Sequence, residues 1–255
     1  MKKIYVLIVF AFILVGCKKD SKESKETESH KTDQVELMPV SHASFGMTWK
    51  DKLFFVDPVG DAKTYKKMGT PDYILITDIH GDHLSLETLE ELGNDFTILA
   101  PEAVYKEMSE SLRKLTKVIS NSETFSSNDI EITAIPMYNI TKERMEYHPK
   151  GRGNGYLLDL DGYRMYISGD TENISEMANL ENIDLALICM NLPYTMSVDQ
   201  AIESVMQFEP KKVIPYHYRG KKEGESYFSD IDHFKKTINK ANPEIEVELL
   251  EWYKK

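Results

Sequence analysis

Four metal-capable side chains stand within six residues of this chain: Asp78, His80, Asp82 and His83, in the run Thr77-Asp78-Ile79-His80-Gly81-Asp82-His83-Leu84-Ser85. Imidazole nitrogens and carboxylate oxygens are the donors that hard and borderline divalent cations take. In extended or looped backbone, residues two apart point the same way, so Asp78 and His80 can reach one point. Beyond Gly81, Asp82 and His83 can turn toward a second point close by. Two adjacent positions of this kind suit two metal ions. A polar turn with satisfied histidines is the bland alternative, and the density of His and Asp argues against it.

The flanking residues supply a frame for this cluster. Residues 73–77 form a short apolar, β-branched run that predicts a buried strand. Ser85 can cap a helix whose Leu86, Leu89 and Leu92 line one face, with Gly93 ending it. The donors therefore sit on a strand-to-helix loop, where site residues are commonly held by a rigid scaffold.

Other segments carry weaker signals of the same kind. Gly169-Asp170-Thr171 follows a strand over 163–168, and His217 ends an apolar run from 213. Taken singly, Gly-Asp-Thr has many innocent matches, and a lone histidine at a strand end is more often structural. His148 lies in Tyr147-His148-Pro149-Lys150-Gly151-Arg152-Gly153-Asn154-Gly155, where it can reach a metal, contact substrate or order its loop. Lys150 with Arg152, and Arg219 with Lys221 and Lys222, each follow one of these histidines. Positive charge at the mouth of a site would favour a phosphate or carboxylate substrate, with ordinary surface charge as the alternative. Asn191 and Tyr194 follow a strand over 185–189 and are further candidates for the substrate rim.

The remaining elements alternate. Strands are expected over 35–40, 45–49, 53–56, 97–100, 117–120, 130–135, 156–160, 212–216 and 245–250. Asp161-Gly162 marks a hairpin. Helices are expected from Pro101 to about residue 108, from a Ser197/Gln200 capping box to about 208, and near 230–240. Cys189 reads as a core residue and His233 as a surface one. The pattern suits one compact domain of two sheets covered by helices.

Composition sets the outer bounds. The chain has 255 residues, 41% of them hydrophobic, and can bury a sizeable core. A formal charge of -11 argues against a general nucleic-acid partner. Residues 1–16 have a charged start and an apolar run too short to span a membrane comfortably, as in a secretory signal segment. Leu14-Val15-Gly16-Cys17 resembles a bacterial lipobox, with Cys17 as the lipidated mature N-terminus; an uncleaved anchor is the alternative. Residues 17–36 then form a polar tether, and residues 37–253 the folded domain, outside the cytoplasm on a membrane.

The order of these motifs resembles the metallo-β-lactamase superfamily, whose signature is H-x-H-x-D-H. Asp78 stands where the first histidine is usual, while His80, Asp82 and His83 match. The resemblance implies a four-layer αβ/βα sandwich with the site along one edge. It implies a second metal position of Asp82, His83, Asp170 and His217, with Asp170 bridging two ions. For the first position it offers Asp78, His80 and His148; the family's further histidine would fall near Asn139. His42, in Ser41-His42-Ala43-Ser44, takes either a place at the rim or a structural role in its hairpin. Two Zn2+ ions are expected, with Mn2+ or Fe2+ also compatible. The implied activity is hydrolysis by a metal-activated water that Asp82 both ligates and orients. Within the superfamily the chain looks closest to the group of ascorbate-6-phosphate lactonase and N-acyl-phosphatidylethanolamine phospholipase D, which points to lactones or phosphodiesters. Two rivals stand beside this reading: a non-catalytic metal-binding lipoprotein with a degraded first site, and redox chemistry at iron.

Overall fold

A computed structural model describes residues 35–253. The expected signal segment, Cys17 and nearly all of the tether lie outside the described residues. The first sheet has the order β1-β2-β3-β4-β5-β6, from strands β1 (Glu36–Ser41), β2 (Ser44–Trp49), β3 (Lys52–Val56), β4 (Tyr73–Leu75), β5 (Thr97–Ala100) and β6 (Thr116–Val118). The chain continues through β7 (Thr124–Ser127), β8 (Ile130–Met137), β9 (Gly153–Leu160), β10 (Tyr163–Ile167), β11 (Leu185–Cys189) and β12 (Lys212–Tyr216). A ribbon of β13 (Arg219–Lys222) and β14 (Glu225–Phe228) follows, then β15 (Glu246–Val247). The second sheet has the order β15-β12-β11-β10-β9-β8-β7.

Side-chain alternation explains how the first sheet is covered on both faces. Phe54 and Val56 of β3, Leu75 of β4 and Leu99 of β5 join the core shared with the second sheet. Their neighbours Leu53, Phe55, Ile74 and Ile98 turn the other way, against Tyr65, Leu89, Val104 and Leu112. Those four come from helices α1 (Ala62–Lys66), α2 (Leu86–Leu92), α3 (Glu102–Glu107) and α4 (Glu110–Leu115). The two sheets meet through Phe45 of β2 against Tyr216 of β12, and through the Tyr156 hydroxyl, which donates to the Ile76 carbonyl at 2.6 Å. Helices α5 (Ser175–Ala178), α6 (Val198–Phe208) and α7 (Ile231–Ala241) pack on the second sheet, with Phe208 edge-on to Tyr166. The result is the helix–sheet–sheet–helix sandwich that the motif order implies.

One edge collects the loops that matter. Strands β3, β4 and β5 run parallel, as do β10, β11 and β12, and β8 runs in the direction of β10 because both are antiparallel to β9. Loops leaving the carboxyl ends of such strands are where open α/β sheets build sites. Asp57, the 77–83 run, Asn139, Asp170, Asn191 and His217 all follow those ends.

Several local expectations match and some need correction. Ser85 caps α2 and Gly93 closes it, Asp161-Gly162 turns with positive φ at both residues, and Ser197 with Gln200 forms a full capping box. Cys189 is buried, and His233 lies half-exposed, 3.4 Å from Asp199. The strand expected over 73–77 stops at Leu75, because the Thr77 amide is taken by the Asp57 carboxylate. Gly153 and Gly155 belong to β9 rather than to a loop. At Gly155 a Cβ would stand 2.9 Å from two carbonyl oxygens, Ile167 and Ser168, so glycine is what lets β10 approach. The strand expected over 245–250 shortens to two residues, and the β13–β14 ribbon turns at Glu223-Gly224, both at positive φ.

Gly155→Ala should therefore destabilise the protein by roughly 1–3 kcal/mol through overpacking against backbone that has no free rotamer to yield. A urea unfolding midpoint equal to that of the wild type would contradict this account.

Candidate metal centre

The centre is built outward from Asp57. This residue directly follows β3, at φ 43°, and is fully buried. Its carboxylate accepts from the Thr77 amide at 2.7 Å, from the Thr77 hydroxyl at 2.6 Å and from His83 Nδ1 at 2.8 Å. Burial pushes the Asp57 carboxyl up, against the pull of His83 and Thr77. In its neutral form, with the Nδ1 proton given to Asp57, His83 presents a lone pair at Nε2. A carboxylate behind a histidine in this way sets the tautomer and ring orientation of metal-ligating imidazoles.

His83 Nε2 faces a set of further donors. It lies 3.2 Å from Nε2 of His217, 3.4 Å from Asp170 and 3.9 Å from Asp82. His217 Nε2 in turn lies 3.3 Å from Asp170 and 3.5 Å from Asp82. Ligands 2.0–2.1 Å from a tetrahedral ion stand about 3.3 Å apart, so the spacings among His83, Asp170 and His217 are those of a coordination shell, with Asp82 at its open side. Electrostatics agree. Burial alone would lower His83, yet Asp170 and Asp57 raise it well above its ordinary value. Burial likewise opposes the charge on Asp170 and Asp82, yet the neighbouring histidines hold both below the usual carboxylate range. Buried Asp170 Oδ1 and His148 Nε2 have no hydrogen-bond partner. The residues present fit a divalent cation at this position.

The first position is built differently. Asp78, His80 and His148 converge, with His80 Nδ1 3.0 Å and His148 Nε2 3.8 Å from Asp78 Oδ2. His148 is aimed inward by the Tyr194 carbonyl, 3.2 Å from its Nδ1, and its Nε2 lies 3.2 Å from Asp170 Oδ2. Asn139 takes no place among the donors; its amide donates to the carbonyls of Arg144 and Tyr194 and so braces the loop that carries His148. Arg152, expected at the substrate wall, is instead bound to Asp78 through two hydrogen bonds of 3.0 and 2.7 Å. A buried carboxylate is a stronger partner for a planar guanidinium than solvent is.

A cleft of about 380 Å³ opens on both positions. His42, Asn191, Tyr194 and Arg219 line it, so these four substrate-rim candidates do gather there, beside Lys221. His42 also gathers with Asp82 and His217 as a group able to hold a metal ion, its Nδ1 3.2 Å from His217 Nδ1 and from the Tyr253 hydroxyl, with the Arg219 guanidinium at its Nε2. Lys150 is drawn away to Glu176. Thr77 and Tyr253 are not marked as site residues by the sequence, and Asp57-Pro58 enters there only as the end of an opening hairpin that resembles the superfamily, with no role for Asp57. A Thr just before the donor run is the available signal for Thr77.

A beta-lactamase superfamily domain model matches residues 36–217. The chain belongs to that superfamily. A UPF0173 metal-dependent hydrolase of Thermococcus onnurineus is 28% identical over 214 residues, covering 80% of this chain and 92% of that protein. A solved structure described as a putative metal-dependent hydrolase from Parabacteroides distasonis is 34% identical, with a TM-score of 0.69, over 86% of this chain and 99% of its own. Igni18, a metallo hydrolase of Ignicoccus hospitalis, shares the superfamily fold at 21% identity and a TM-score of 0.70, over 86% and 96% of the two chains.

Two outcomes follow from this geometry. Asp57→Ala should weaken divalent-metal affinity about 10–100-fold by freeing His83 to turn, as read by competition with a chelating dye; unchanged affinity would remove Asp57 from the centre. The second concerns pH. Burial, with the charges of His217 and Arg219, lowers His42 from 6.5 to about 3. Between those values the unfolded chain binds a proton that the folded chain does not, so stability rises with pH there and is lost on acidification. In metal-free protein, His42→Phe should flatten the rise of melting temperature in the upper part of that window.

Proposed function

We propose that this chain is a metal-dependent hydrolase acting on small anionic esters, among which phosphodiesters and lactones are the first candidates. One observation carries the reading. Three donors from three separate loops, His83, Asp170 and His217, face one another at coordination spacing, with Asp82 3.5 Å from His217 and 3.9 Å from His83 at the edge of an open cleft. The curated relatives named metal-dependent hydrolases, matched over most of their length, support it.

A bound divalent ion, with Zn2+ the first choice and Mn2+ or Fe2+ as alternatives, supplies two things: it polarises a substrate oxygen and lowers the pKa of water. The chain's own residues supply the rest. The Asp82 side chain is 45% exposed, unlike its buried partners, so among the four donors it has the most access to solvent in the cleft. It is the residue that orients the attacking water. Arg219 and Lys221, on β13, line the same cleft and favour a phosphate or carboxylate group. Access from solvent to Asp82 favours turnover over a caged structural ion.

The chain and an Asp82→Ala/His83→Ala variant, each loaded with Zn2+, would be compared on bis(p-nitrophenyl) phosphate and on a simple lactone. Hydrolysis by the wild type that falls to background in the variant is expected. Equal rates, or none in either on any ester tested, would sink the reading.

The N-terminal motif completes the proposal: Cys17 carries a lipid that holds the domain on the outer side of a cell membrane. Cys17→Ala should release the chain from the membrane fraction and abolish labelling by a palmitate analogue in cells. Persistent labelling of the variant would reject Cys17 as the acceptor.

A further inference from the structure

The two halves of the donor cluster differ in what already occupies them. At the second position, the supporting contact on His83 is made at Nδ1, by Asp57, which leaves the donor atom Nε2 free to face its partners. At the first position, the supporting contact is made on the donor atoms themselves. Arg152 Nε and Nη2 take one oxygen each of Asp78, at 3.0 and 2.7 Å. Nη2 also stands 3.3 Å from His80 Nε2 and donates to the Tyr147 carbonyl. The other nitrogen of His80, Nδ1, is 3.0 Å from Asp78 Oδ2. Both oxygens of Asp78 and one nitrogen of His80 therefore face the guanidinium. His148 Nε2 has no hydrogen-bond partner, and the acidic oxygen nearest to it belongs to Asp170 of the second position.

Charge leads the same way. The Asp78 side chain is fully buried and that of Arg152 is 18% exposed. A forked guanidinium–carboxylate pair of this kind is neutral as a unit, and pulling one partner out leaves the other charged and uncompensated in a place shielded from water. An ion entering at Asp78 would have to do that, and would bring two positive charges next to a third. A histidine at residue 78, as in the superfamily signature, would offer Arg152 no such fork.

We propose that Arg152 is the built-in cation of the first position, so that the protein holds one divalent ion, at Asp82, His83, Asp170 and His217, with Asp78 as the counter-ion of Arg152. This rests on the metal-dependent reading above and adds the number of ions and the reason for it. Arg152 is then a positioning residue: it holds Asp78 and His80 in place and balances the charge of Asp78.

The test is metal content and spin coupling, neither of which needs turnover. The full-length chain is loaded with excess Mn2+, freed of loose ion by gel filtration, and measured by elemental analysis and electron paramagnetic resonance. About one ion per chain with the signal of an isolated ion is expected. Arg152→Gln opens Asp78 and should raise the content to about two, with a spin-coupled signal. Should that variant fail to fold, Asp78→Asn, which keeps an oxygen for Arg152, should still hold one ion. Two ions in the wild type, one ion in folded Arg152→Gln, or loss of the ion in Asp78→Asn would each overturn the proposal while leaving the metal-dependent reading intact. A wild-type chain that holds no ion under any loading would overturn both.

Discussion

Buried negative charge gathered at one edge of the sandwich is the constraint on which the rest of this structure depends. Asp57, Asp78 and Asp170 are all removed from water within one cluster, and Asp82 stands beside them. Unpaired carboxylates cannot remain so placed, and each has a different remedy. Asp57 accepts three hydrogen bonds from Thr77 and His83. Asp78 is matched by the Arg152 fork. Asp170 and Asp82 face His83 and His217, an arrangement that still calls for a cation. The chemistry of the site follows from which of these remedies is internal and which is left to an ion.

Holding such groups together takes rigid support, which parallel strand ends provide. The donors other than His148 lie on loops that leave the carboxyl ends of buried strands, and those loops are pinned by polar contacts of their own. The Asn154 amide donates to the Thr77 carbonyl, tying β9 to the donor run. Buried Glu172 accepts from the amides of Ile140 and Thr141 and pairs with Arg144 at 2.7 Å, which fixes the segment leading to His148. The Gly169 amide donates to the Tyr216 hydroxyl, which seats the turn before Asp170. Orientation within a few tenths of an ångström comes from this supporting layer rather than from the ligands.

Much of the scheme was legible in the sequence because it is local. Apolar runs ending in His, Asp or Asn, the Ser85 cap, the Asp161-Gly162 turn and the Ser197/Gln200 box each declare themselves within a few residues. The short helices α1, α4 and α5 and the β13–β14 ribbon did not, since brief polar segments carry little periodicity and are settled by packing. Arg152 is the instructive case. Its charge beside His148 suggested a substrate contact, but a buried acid 74 residues away was the stronger partner.

By itself, the sequence determined the donor types, their order along the chain and the strands that would deliver them, since side-chain chemistry and hydrophobic period are properties of short segments. Only the tertiary structure decided which donors share a position, that Asp57 stands behind His83, that Asn139 braces a loop, and that Asp78 faces a guanidinium. Those are distances between residues far apart in the chain, and they are set by the register of two sheets packed on a common core.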